Sequence, residues 1–116
     1  MFAKLFKSTR SDKSNDEPLR WIVLDVETTG LDPASDRLLA IAAIAVRVGV
    51  GLTKPTIVLG DSFEAVLKQD LASDRDNILV HHIGVGAQEG GRPAIEVLED
   101  FRAWVDNAPL LAFHAP

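Results

Sequence analysis

The sequence predicts a mixed α/β fold, a sheet layered against helix, on three observations. Trp21 to Val26 is an almost unbroken apolar run, the pattern of a strand covered on both faces. Two further stretches rich in Ile, Val and Ala, Arg37 to Val48 and Pro55 to Leu59, flank a turn at Gly49-Val-Gly51, which favours antiparallel pairing. Beyond them Ile95, Leu98, Phe101, Arg102 and Val105 recur at helical spacing, and Leu110 to Phe113 reads as a strand entering the same sheet.

Taken in order, residues 1–19 form a flexible or weakly helical lead. Phe2 to Phe6 fits an amphipathic turn or two, and Ser8 to Pro18 is polar. Residues 20–116 form the domain. The central strand ends in a loop, Leu31-Asp-Pro-Ala-Ser-Asp36. Arg37 to Val48 is Ala-rich enough for a helix, but Ile41, Ile44, Val46 and Val48 favour a second strand. Pro55 to Leu59 returns as the third, and Phe63 to Leu67 extends this edge after a break at Gly60-Asp61. Lys68 to Asn77 makes a polar surface connection into Ile78-Leu-Val-His-His-Ile83, which is read as extended. Glycines 84, 86, 90 and 91 lack the order of a dinucleotide-binding loop and read as flexible chain. Pro93 opens a helix running to Asn107, with Phe101 and Trp104 as core residues and Trp104 on its flank.

With 116 residues, 47% of them hydrophobic, the chain is sized for one modest core. It has no cysteine, which removes disulfides, thiolate catalysis and Cys-based zinc sites and agrees with a reducing compartment. No apolar run approaches membrane-spanning length, so a cytoplasmic protein with no membrane partner is expected. Residues 1–20 carry five Lys/Arg against three Asp/Glu, while residues 21–116 carry seven against fourteen. An acidic body of this kind does not grip a long duplex, but it suits an enzyme that holds a few phosphates through metal ions.

The chemistry centres on Asp25-Val-Glu27-Thr-Thr-Gly30 at the end of the central strand. The two-residue repeat of a strand puts Asp25 and Glu27 on one face, about 7 Å apart along it. Like charges so placed call for a cation, and oxygen ligands without cysteine point to Mg2+ or Mn2+.

The stretch Val23-Leu-Asp-Val-Glu-Thr-Thr-Gly-Leu-Asp32 resembles the first motif of the DEDD family of 3′–5′ exonucleases, of the proofreading (epsilon) subunit type of bacterial DNA polymerase III. Asp36-Arg-Leu-Leu-Ala-Ile41, the His-containing Leu79 to Gly84, the segment Leu98 to Trp104 and Pro109 to Pro116 continue the resemblance over residues 20–116. It implies a ribonuclease-H-like fold, incomplete at the C-terminus, and a site with two divalent ions and four acidic ligands, of which Asp25 and Glu27 are two. Thr28, Thr29, Gly30 and Leu31 are the implied contacts to the terminal nucleotide. His82 and His114 are candidate substrate contacts, with structural or solvent-facing roles as the alternatives.

In the family a third carboxylate follows a His-Asn-x-x-Phe-Asp strand. Here Phe113 and His114 stand at the usual His and Asn, and the carboxylate is expected two residues past Pro116. The fourth carboxylate and the general base belong to a later helix. The expectation is therefore a metal-dependent exonuclease acting on a single-stranded 3′ end of DNA, with RNA as the alternative substrate and a DNA polymerase subunit as the implied partner. Residues 1–116 alone should be inactive or nearly so. The competing function is a non-catalytic nucleic-acid or polymerase-binding module on the same fold. A receiver-type phosphotransfer domain is a third reading, disfavoured because no suitably placed lysine follows a later strand.

Overall fold

The computed structural model describes residues 3–5, 18–49 and 54–113. Its strands are β1 (Ala3–Leu5), β2 (Leu19–Thr28), β3 (Leu38–Val48), β4 (Thr56–Val66) and β5 (Leu110–Phe113). Three helices, α1 (Arg75–His81), α2 (Val85–Glu89) and α3 (Ala94–Val105), fall between β4 and β5. The strands make one sheet in the order β1-β5-β2-β3-β4. β2, β3 and β4 run as an antiparallel meander, β5 lies parallel to β2, and β1 pairs antiparallel with β5. The expected mixed sheet and the strand reading of residues 37–48 are both present.

One sheet face is closed by α3. Ile41, Ala65 and Leu67 are buried with Val97, and Ile22, Ala43 and Ala45 form an adjoining cluster packed by Phe101, Trp104 and Leu110, with Leu24 touching both. Phe63, Phe101 and Trp104 meet at the centre, Phe63 and Phe101 edge to face at 5.3 Å and Phe63 and Trp104 at 5.8 Å. Trp104 is thus part of the core contact rather than a flank. The burying positions of α3 are 97, 101, 104 and 105, while Ile95 and Leu98, expected on the apolar face, are exposed. At 100° per residue the sheet is met by the 97/101/104 row, and Leu98 turns away from it.

Among the described residues the other face is uncovered. Val23 is paired with Ile44 and Asp25 with Ala42, so these side chains share a face. With Ser62 and Glu64 they line a shallow depression of about 300 Å³. β4 does not break at Gly60-Asp61. Its register to β3 slips instead, Ala45 facing Val58 and Ile44 facing Ser62. The bulge presents Asp61 to Arg20, which donates from Nε at 2.7 Å and Nη2 at 2.9 Å, and to Trp104, which donates from Nε1 at 3.0 Å. The Arg20 guanidinium also lies 4.8 Å from the Trp104 ring centre, joining β2, β4 and α3.

Three further expectations are corrected. Residues 3–5 form a strand rather than a helical turn, because the outer edge of β5 offers backbone partners that one isolated turn cannot match. Phe2, Phe6 and residues 6–17 lie outside the described residues. The segment read as extended, 78–83, is mostly the end of α1, which starts earlier because the Asp74 carboxylate accepts from Asn77 N–H as an N-cap. The glycine-rich stretch folds as α2 between Gly84 and Gly90, and Gly91 then approaches β4 so closely that an added Cβ would sit 2.7 Å from the backbone of Val66 to Lys68.

Candidate active site

Asp25 and Glu27 stand at the carboxyl end of β2 on its open face, opposite Ala42 and Ala40 of β3. The small partners leave the space above them unfilled. Asp25 is exposed and Glu27 half-buried, and neither carboxylate makes a hydrogen bond or ion pair with any described residue. Two carboxylates on one face, with no protein cation against them, suit a hard divalent ion. They supply only two ligand side chains, and among the described residues there is no group of three or more Asp, Glu or His that could hold a metal. His114 lies outside those residues.

The turn that follows is held from within. Thr28 Oγ1 donates to the Gly30 carbonyl at 2.6 Å, and Thr29 Oγ1 donates to Asp36 Oδ1 at 2.9 Å while accepting from Arg37 N–H. Thr29 N–H donates to the Arg37 carbonyl, and Asp32 N–H to Asp36 Oδ2. Asp36 therefore ties both ends of the loop. Gly30 is needed for space rather than for a left-handed turn, since a Cβ there would fall 2.4 Å from Asp36 Oδ2. Asp32 accepts from Ala34 N–H and Ser35 Oγ, and these bonds hold its carboxyl below the usual carboxylate range. Leu31 is 98% exposed at the tip, free to meet a ligand. Asp25, Thr28, Gly30, Leu31 and Arg37 line a cavity of about 690 Å³ whose apolar wall includes Val26 and Phe113. The polar turn and this wall together offer one place for a phosphate-bearing group and another for an apolar or aromatic one.

The histidine pair divides differently from the extended reading. His82 is exposed at the C-cap of α1 in the left-handed conformation, φ 60°. His81 is buried, its Nε2 2.6 Å from Asn77 Oδ1 and its Nδ1 accepting from Ile83 N–H at 2.9 Å. Asn77 Nδ2 in turn donates to the carbonyls of Thr28 at 3.1 Å and Thr29 at 3.4 Å. Buried Ser73 and Gln88 complete the network, with Gln88 Nε2 donating to Ser73 Oγ and to the Ile83 carbonyl. Asn77 and Gln88 were not singled out by the sequence. The one signal available for Asn77 was Asp74 three residues before it, the spacing of an N-cap.

The sequence matches the RNase_T family, described as exonuclease, over residues 22–115. It is 28% identical over 102 residues to the DNA polymerase III PolC-type of Thermotoga petrophila, and 28% identical over 105 residues to that of Thermotoga maritima. These alignments cover 88% and 90% of the chain but 7% of each relative, so the chain spans a small part of their length. Among solved structures, cell-death related nuclease 4 (CRN-4) superposes with a TM-score of 0.58 at 23% identity, covering 74% of this chain and 29% of that one. That likeness shows the fold, a mixed sheet of the ribonuclease-H-like exonuclease type. β3, β4, the parallel β5 and the acidic end of β2 fall inside the matched span, and the chain belongs to the RNase_T exonuclease family.

Proposed function

We propose that the protein carrying this chain is a metal-dependent 3′–5′ exonuclease that removes nucleotides from a single-stranded 3′ end, of DNA in preference to RNA, in proofreading or repair. The observation that carries the reading is the pair Asp25 and Glu27, on one face at the end of β2 within the family match and without a side-chain partner among the described residues. A binding module would gain nothing from two uncompensated carboxylates there. Polymerase association in the manner of an epsilon subunit, and DNA as substrate, are supported by the PolC-type DNA polymerases among the relatives. Among the described residues no helix is long and apolar enough to cross a membrane. A cytoplasmic site of action accords with that and with the lack of cysteine.

In such a reaction water adds to phosphorus, the bond to the 3′ oxygen breaks, and the leaving oxygen takes a proton. Divalent ions, when bound, supply an acidified water and charge stabilisation at the leaving oxygen. Asp25 and Glu27 would hold them. Thr28 to Leu31 would orient the terminal nucleotide, the self-bonded Thr hydroxyls keeping the turn rigid while Leu31 offers an apolar contact to the base. His82 and His114 are carried as further substrate contacts. Two carboxylates alone leave the second ion and the attacking water poorly fixed, so residues 1–116 by themselves should turn over slowly or not at all.

The deciding experiment is a Mn2+ titration of the chain beside Asp25→Asn and Glu27→Gln, paired with degradation of a 3′-labelled single strand in Mg2+. Affinity lost in both variants supports the site, and equal affinity in all three removes Asp25 and Glu27 as ligands. Because the described residues hold no three-ligand group, a non-catalytic nucleic-acid or polymerase-binding module remains the second reading. It predicts strand binding that neither substitution weakens.

A further inference from the structure

We infer that Asn77 is a positioning residue for the Asp25 and Glu27 site, acting as a clamp from α1 onto the backbone just beyond Glu27. The inference rests on the exonuclease reading and adds to it a residue from a separate element.

The backbone after Glu27 is where β2 loses its regular ladder. Glu27 faces Ala40 but Thr28 faces Leu38, so Leu39 is skipped and the register slips between the last carboxylate and the turn. The peptides that follow Thr28 and open the turn therefore lie past the regular pairing with β3. Asn77 reaches them from 48 or 49 positions further along the chain, giving its Nδ2 hydrogens to the Thr28 and Thr29 carbonyls.

The orientation of this amide is fixed by chemistry. Carbonyl oxygens only accept, so Nδ2 must face them and Oδ1 must face His81. Ile83 N–H donates to His81 Nδ1, so the proton of the neutral ring sits on Nε2, where it is given to Asn77 Oδ1. Donors thus run in one direction, from the Ile83 peptide through His81 and Asn77 to the turn. The relay is anchored by buried groups, His81, Ser73 and Gln88, whose polar atoms bond to one another. Such a chain has no slack: reversing the Asn77 amide would set its oxygen against two carbonyl oxygens and its nitrogen hydrogens against the Nε2 hydrogen. A side chain that only pinned α1 to the sheet would need no partner of its own. This one is held in a single orientation, and what it holds is the two successive peptides that follow the carboxylate-bearing end of β2.

The test uses the full 116-residue chain and Mn2+ as the probe, with free Mn2+ followed by electron paramagnetic resonance and amide exchange read at residues 28–31. Asn77→Ala removes the clamp. Asn77→Asp keeps its shape and an acceptor for His81 but has no N–H for the carbonyls, so it reads the clamp even where the alanine variant unfolds. Both should weaken Mn2+ binding by about tenfold, the low end for groups that orient a metal ligand, and speed exchange at the turn. Asp25→Asn should abolish binding. Mn2+ affinity of Asn77→Asp within about twofold of wild type, far below the cost of an orienting group, while Asp25→Asn still abolishes it, would leave Asn77 a mere tether and overturn the inference alone. Binding indifferent to Asp25→Asn would overturn the metal-site reading and the clamp with it.

Discussion

Gly30 lies against the carboxylate of Asp36, with room for a hydrogen and not for a methyl group: a Cβ would sit between 2.4 and 2.8 Å from all three atoms of that carboxylate. Since Asp36 holds both Thr29 Oγ1 and Asp32 N–H, the pressure would pass to the whole turn. Gly30→Ala should therefore cost about 2 kcal/mol, as overpacking does, and should also weaken Mn2+ binding. Urea unfolding and metal titration of one preparation check both. Unchanged stability would mean that the loop yields freely and that Asp36 does not brace it.

Asp61 carries a prediction in pH. Its carboxyl is held below the ordinary value, chiefly by the hydrogen bonds from Arg20; burial opposes this, and the charges of Arg20 and Arg47 and the Trp104 hydrogen bond add smaller lowering effects. A depressed folded value means that the pair's stabilisation is fully present above the unfolded carboxylate pKa of about 3.9 and is lost as pH falls through the folded value. Asp61→Asn should lower stability by about 2 kcal/mol at pH 7, a figure kept modest because both side chains are partly exposed. The gap between variant and wild type should narrow below about pH 4. Denaturant midpoints measured at neutral and acid pH test the sign, and a gap that widened in acid would contradict it.

His82 holds φ 60°, a conformation that suits glycine better than a residue with a Cβ. Its side chain is exposed, so His82→Gly should raise stability by about 0.5 to 1 kcal/mol in a thermal melt. Strand binding by the same variant addresses its candidate role: loss of affinity despite the gain in stability would mark His82 as a substrate contact.

Phe101 should behave as core. Truncation to alanine opens the contact with Phe63 and Trp104 and should cost about 3 to 4 kcal/mol. Removing the neighbouring exposed Leu98 should cost under about 1 kcal/mol. Equal effects of the two substitutions would mean that the helix meets the sheet through a different row.

Residue pattern alone made β2, β3 and α3 legible, because β2 carries a near-continuous apolar run, β3 is rich in Ala, Ile and Val over eleven residues, and α3 repeats its apolar positions at helical spacing over twelve. It also placed Asp25 and Glu27 on one face, since strand alternation is a local property. The segment 75–91 folds differently from its pattern because its helices are short, seven and five residues, and their ends are fixed by partners distant in sequence, such as the Gln69 N–H donating to the Gln88 carbonyl. Gly60-Asp61 looked like a break because a bulge and a strand end carry the same residues. Only the partner strand and Arg20 decide between them.

The sequence by itself determined that Asp25 and Glu27 share one face of β2, for two carboxylates two positions apart on a strand point the same way. The tertiary structure decided what braces them. Asp36 beneath Gly30 and Asn77 across from Thr28 act through space over separations of six and 49 residues, and no local period records a hydrogen bond that the chain makes only after folding back on itself.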